Sequence, residues 1–467
     1  MTWLNGVWLL SAVAQGQQAG AAEQAQASSK ASVKAEDRQV DTLASLWQRA
    51  KRRYPGTQAA TQAIRAAEAQ LDEARLSPYF QFTATGLAAV APEQRGTAAF
   101  SPDSQFPIRN PWQPVLRIDV GGAVPLYTFG KLTAAKQAAR AGVRAARLAR
   151  ERTWAQLRFD VRRAYFGLQL ALDLEQLLEE GRAKLRQAER QVQARLDEDD
   201  EDVDEMDQWR LSIAAAEVET RLVQTRKLAT VTRAALHMLT GQRQIRLADC
   251  PMQALALLPR APDSGVSTAG RPELKQLQAA LEARAAAVKA KKGAYFPDLA
   301  LAARAIQSYG PGITNQNNPF VYNPANYTLL TAGLVAKWSL DFAGNHARHR
   351  KAKAEYLQTL AQTSEARSAI ALEGREAKAT LRQAEAQLAL WQVAERQART
   401  WFIAAFQAYQ LGTVDGKGLL EALKAYFDAR GKRLQSTFDF NVSVAHLERV
   451  FARPWASPGA WAARCEE

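Results

Sequence analysis

Two stretches of this sequence share one shape. VLRIDVGGAVPLYTFG (Val115 to Gly130) and LLTAGLVAKWSLDFAG (Leu329 to Gly344) both alternate apolar and polar residues, then reach an aromatic and a glycine. Each gives way to a segment without proline, from Leu126 to Cys250 and from Ala325 to Arg453. Strict alternation is the period of a strand with one apolar and one wet side. A proline-free run with apolar residues every three or four positions is helical. The echo therefore describes a duplicated unit.

Reading outward from the echo completes the unit. Leu43 to Arg53 and Thr57 to Leu76 carry helical patterns, separated by Tyr54-Pro55-Gly56. A strand is expected at about 79–90, where Phe80, Phe82 and Ala84 alternate with Gln81, Thr83 and Thr85. A second is expected at 115–127, with Leu116, Ile118, Val120, Val124 and Leu126 on one face and Arg117, Asp119, Gly121 and Ala123 on the other. A helical hairpin fills 130–241. Its first arm shows a heptad stripe, Trp154, Leu157, Val161, Ala164, Leu168 and Ala171. That arm, of some 65 residues, would be about 100 Å long at 1.5 Å per residue. Leu239-Thr240-Gly241 marks the end of the return arm. After an irregular 242–268, strands at about 295–308 and 327–341 and a hairpin at 344–451 repeat the plan. The domain reading is a first repeat at 39–241, an inter-repeat linker at 242–268, a second repeat at 269–452 and a tail at 453–467.

The ends and the charge add context. Residues 1–14, with an apolar stretch from Trp3 to Leu10 and the small residues Ala12-Val13-Ala14, read as a signal peptide, although no Lys or Arg precedes Lys30. Residues 15–38 read as a flexible linker. The net charge of +14 is spread along the helices rather than gathered on one face, so no nucleic-acid partner is expected. The residues offer no nucleophile with a base, no zinc spacing and no phosphate-cradling loop. An enzyme is not expected, and neither is a cofactor.

Strands of this length match a tilted bilayer crossing. In hydrocarbon every backbone group must be paired, so an open four-stranded sheet is excluded. Closure calls for several chains, and three would make a barrel of roughly 12 strands. The hairpins are too charged to lie in lipid and must project from it. The expected fold class is mostly α with β: a duplicated strand–strand–long hairpin unit, assembling as a trimeric β-barrel continued by an α-helical barrel. A periplasmic adaptor and a soluble coiled-coil scaffold are the competing readings.

From about residue 40 to 452 the chain resembles TolC-type outer-membrane efflux proteins. The resemblance is carried by the duplicated plan with RPEL at 271–274, YFPDL at 295–299, WSLDFAG at 338–344, YQLG at 409–412 and LLEA at 419–422. It implies a homotrimer in the cell outer membrane, in contact with its lipid, with a periplasmic helical tunnel. The implied partners are a periplasmic adaptor protein and an inner-membrane pump, and the implied role is a passive duct for efflux or type I secretion, gated at its helical tips.

Candidate site residues cluster at those tips. Asp197, Glu198, Asp199, Asp200, Glu201, Asp202, Asp204, Glu205 and Asp207 form one acidic run. Either it is a solvated turn, or in three copies it makes a negative ring at the tunnel mouth. Clustered carboxylates also suit calcium, but the glycine of an EF-hand bend is missing. In the family an acidic pair narrows the entrance at the second tip. Glu421 matches one member, Gly418 stands where the other is expected, and Asp415 is near enough to substitute. His346 and His349, at i and i+3, read as a polar helix start, and His237 and His446 as packing or surface residues. The resemblance also brings Cys250 and Cys465 to the waist of the tunnel, where they are candidates for a disulfide.

Overall fold

The computed structural model describes residues 40–79, 81–93, 111–197, 205–248, 250–257, 270–311, 313, 325–411, 413–454 and 456. The elements run α1 (Leu43–Arg53), α2 (Pro55–Leu76), a 3-10 turn (Ser77–Tyr79), β1 (Gln81–Pro92), β2 (Trp112–Tyr127), α3 (Lys131–Asp197) and α4 (Glu205–Thr240). The second half follows with α5 (Pro272–Gly293), β3 (Asp298–Tyr309), β4 (Tyr327–Lys337), α6 (Phe342–Gln410) and α7 (Gly416–Phe451). The signal peptide and linker expected at 1–38 lie outside the described residues.

Element limits shift where side-chain contacts override the pattern. β1 starts only at Gln81, because the chain first makes the 3-10 turn. β4 stops at Lys337 rather than 341. There Trp338 turns to donate its indole N–H to the Tyr295 carbonyl at 3.1 Å, and Phe342 N–H returns to Leu340 O at 2.9 Å. α6 therefore begins at Phe342.

The two sequence repeats are not the two compact units. One unit takes the described residues of 1–58, 152–271 and 370–467, and the other those of 59–151 and 272–369. The long helices α3 (67 residues) and α6 (69 residues) contribute to both.

The unit of 59–151 and 272–369 holds one antiparallel sheet in the order β1-β2-β3-β4. β2 of the first repeat pairs directly with β3 of the second, Val120 opposite Ala305. The register stacks Phe82, Ala84, Ala88 and Val90 beside Leu116, Ile118, Val120 and Val124, then beside Leu299 and Leu301, then Leu330 and Leu334. This apolar face is the exposed one. Leu330 and Leu334 show 80% and 78% of their surface. Along β2 and β3 the alternate positions, which hold the charged residues, are mostly the more sheltered, with Ile306 buried and Arg304 exposed among them. A sheet in water buries its apolar face; this one is inside out.

The strand ends meet the helices through aromatic residues. Phe129 stacks on Phe296 at 4.9 Å and meets Tyr127 edge-on at 4.7 Å. Trp338 meets Phe342 at 6.2 Å. Phe129 and Gly130 both take positive φ, 49° and 82°, to turn β2 into α3, and glycine makes the second of these inexpensive.

The unit of 1–58, 152–271 and 370–467 has a conventional apolar core. Five of the six stripe residues on α3 are buried in it, Leu157, Val161, Ala164, Leu168 and Ala171, with Leu236, Val444, Leu447 and Val450. Trp154, the sixth, is half-buried with Lys51 over its ring at 4.6 Å. Thr240 ends α4, and Gly241 adopts φ 73° as the helix stop requires. The linker after α4 is tied down by Asn441, fully buried on α7. Its side chain accepts from Leu255 N–H and donates to Gln253 O, both at 2.9 Å.

Candidate functional site

Two places carry the polar chemistry, and each lies within one compact unit. The first is the sheltered face of the sheet. The four strands contain five charged residues, Arg117, Asp119, Asp298, Arg304 and Lys337. The register puts all five on the polar face. Two adjacent glycines flank the central cluster, one on each face. Gly122 is on the apolar side, under the ring of Phe82, and Gly121 is on the polar side, with the stem of Arg304 at contact distance from where its Cβ would stand. Lying across Gly121, Arg304 grips Asp119 with two N–H groups at 2.9 and 2.5 Å. Arg117 stands 3.6 Å from the same carboxylate. At the helix end of the sheet Lys131 lies 2.8 Å from Asp298.

The second place is the pair of hairpin tips. A cavity of about 350 Å³ between them is lined by Arg195, Asp207 and Arg210 from one hairpin and Tyr409, Asp415 and Lys417 from the other. Of the expected acids, Asp207 and Asp415 thus come together. Asp207 is held by Arg210 at 2.7 Å, one turn away. Asp415 caps α7, accepting from Gly418 N–H at 2.8 Å. A Cβ at Gly418 would meet Val414 at 2.8 Å, so the tight cap favours glycine there. Asp197 is exposed and accepts from Gln193 at 2.9 Å. Glu205 is exposed in the first turn of α4, and Glu421 is exposed and outside the cavity lining. Glu198, Asp199, Asp200, Glu201, Asp202 and Asp204 lie outside the described residues.

The sequence reading missed the cations that face these acids. It also missed a ladder of ion pairs further along the hairpins. Lys424 meets Glu217 at 2.8 Å, Arg221 meets Asp428 at 2.7 Å and Arg430 meets Glu180 at 2.7 Å, each joining α7 to the first hairpin. The signal was present as opposite charges four apart, Glu217 with Arg221 and Lys424 with Asp428. Lys424, then Arg221, hold the Glu217 carboxyl below its ordinary range against a smaller opposing effect of burial. A carboxylate lowered in the folded state stabilises above its unfolded pKa of about 4.3 and loses that contribution as pH falls through the lower folded value. Glu217→Gln is therefore expected to lower the thermal midpoint at neutral pH, and the gap should close as pH falls through the folded pKa. A gap that persists unchanged in acid would reject the clamp.

The remaining predicted residues have modest surroundings. His349 meets the Tyr295 ring at 6.2 Å, and His446 lies edge-on to Phe159 at 5.6 Å, its pKa lowered by burial and then by Arg449. His237 touches the Gln242 carbonyl at 2.9 Å. Cys250 is one half of a disulfide; Cys465, its expected partner, lies outside the described residues. Among the described residues no helix is long and apolar enough to cross a membrane.

Residues 266–451 match the model of the outer membrane efflux protein family. No curated protein matches the chain in sequence. Among solved structures, that of CusC superposes with a TM-score of 0.73 at 18% identity, over 88% of this chain and 92% of that one. The open state of the MtrE outer membrane channel of Neisseria gonorrhoeae gives 0.72 at 16% identity, over 88% and 89%. The outer membrane protein VceC of Vibrio cholerae gives 0.72 at 16% identity, over 88% and 96%. Residues 266–451 thus match the outer membrane efflux protein family, and the chain as a whole has the fold of these channel structures.

Proposed function

We propose that the chain is one subunit of a homotrimeric efflux duct in the outer membrane, a passive conduit without catalytic chemistry. The observation that carries this reading is the sheet's exposed apolar face, Leu330 and Leu334 above all, with all five charged strand residues on the opposite face. Lipid is the solvent that rewards such a face, and an aqueous lumen suits the other. β1 and β4 are the edges of the four-stranded sheet, and edges cannot stay open in hydrocarbon. Three copies joined edge to edge would close it.

The hairpins then form a periplasmic extension whose tips control access, joined at rest by contacts such as Lys424–Glu217 and Arg221–Asp428. A periplasmic adaptor and an inner-membrane pump are the partners expected to loosen them. A soluble scaffold or an adaptor would leave the duplicated strand pair and its exposed leucines without a purpose. The test is fractionation followed by gel mobility. The protein should sediment with outer membranes, require detergent for extraction, and migrate as a trimer until heated. A detergent-free soluble monomer rejects the duct.

A further inference from the structure

We propose that the sheet end of this duct prefers anionic solutes, because its sheltered face carries more cations than carboxylates. The inference rests on the duct reading and deepens it by assigning a solute class to the exit.

On that face Asp119 and Asp298 are both occupied, the first by Arg304 with Arg117 beside it, the second by Lys131. Arg117, Arg304, Lys337 and Lys131 set against Asp119, Asp298 and Glu93, which follows β1 at the same alternation, leave one positive charge per chain. The other polar residues here, including Gln81, Thr83, Thr85 and Thr331, are neutral. Arg304 is spent on Asp119 in a two-pronged pair, which fixes the cluster across β2 and β3 and leaves Arg117 as the excess charge. Lys337 is exposed on the edge strand β4, opposite Asp298. Three copies would present an excess of roughly three positive charges in a narrow wet lumen, where such rings set ion preference. The acidic tips have the opposite sign, so the two ends of the duct would differ in what they attract.

Ring charges act over about 10 Å in 0.1 M salt and about 3 Å in 1 M. The experiment is the reversal potential of purified channels in planar bilayers under a potassium chloride gradient, wild type against Arg117→Gln/Lys337→Gln. The double substitution should lower the chloride-to-potassium permeability ratio about threefold near 0.1 M and have little effect near 1 M. Lys337→Gln alone, at the sheet edge, should give an intermediate shift and serves if the pair impairs assembly. Channels that conduct with an unchanged ratio at low salt overturn the anion preference and leave the duct standing. Wild-type protein that forms no channels overturns the duct itself.

Discussion

Replacing Gly122 by valine is expected to abolish assembly of the sheet. Gly122 sits opposite Phe82 in the β1–β2 pair. A Cβ there would come within 2.2 Å of the Phe82 ring and 2.7 Å of the Gln81 carbonyl oxygen. The ring can rotate away, but the carbonyl belongs to the backbone of the paired strand. Relief must separate β1 from β2 at that point. Overpacking alone costs about 1–3 kcal/mol, and backbone groups left unpaired in lipid add several more each. Heat-modifiable trimer should fall to a small fraction of the wild-type amount in outer-membrane extracts. Gly122→Ala with Phe82→Ala removes the ring contact and keeps the carbonyl contact, so it should recover only part. Gly86, with nothing within 4 Å of an added Cβ, is the control, and Gly86→Ala should assemble normally. A Gly122→Val protein that trimerises like the wild type would mean the β1–β2 register is wrong.

The second large effect is expected at Glu448, deep in the helical unit. Its side chain is 8% exposed and that of its partner Arg162 is 12% exposed. One carboxylate oxygen takes the Arg162 guanidinium and the other accepts from Ala456 N–H at 3.1 Å. Burial pulls the Arg162 pKa down while Glu448 pushes it up, yet a guanidinium does not give up its proton in a protein. Glu448→Ala therefore removes the carboxylate that compensates a buried cation, and such losses cost about 3–5 kcal/mol. It also frees the backbone around Ala456, which pairs with Leu257 of the linker. The thermal midpoint in detergent should drop clearly. Arg162→Met combined with Glu448→Leu should restore most of it, since replacing both members of a buried pair by apolar groups is often near neutral. A double variant as unstable as Glu448→Ala would show that the tail contact, rather than the charge pair, dominates.

How much of this was legible beforehand differs by element. The stripe from Leu157 to Ala171 and the strand faces at Leu116, Ile118 and Val120 could be read directly, because burial and alternation leave local periods. Lys337 ended β4 earlier than expected because the Trp338 indole bonds backwards to Tyr295, a contact with no local pattern. At the tips, composition exposed the acids and concealed the cations. Arg195 and Lys417 are unremarkable in a helix rich in basic residues, and only the pairing of hairpins sets them around Asp207 and Asp415. Asp415, a candidate gate residue, also caps α7 through its hydrogen bond from Gly418 N–H, a role that only the folded turn reveals.

The sequence by itself determined the parts: two copies of a strand pair, each with one apolar face, and two helices of about 100 Å. Those properties follow from periods of two and of about three and a half residues, which neighbouring positions carry between them. The tertiary structure alone decided how the parts combine. It placed β2 beside β3, so that one sheet crosses the boundary between repeats, and it divided the helices between compact units that the repeats do not follow. It brought Arg304 onto Asp119 and Arg162 onto Glu448. Such contacts depend on the register between segments far apart in the chain, and that register is set by packing rather than by any repeat within a segment.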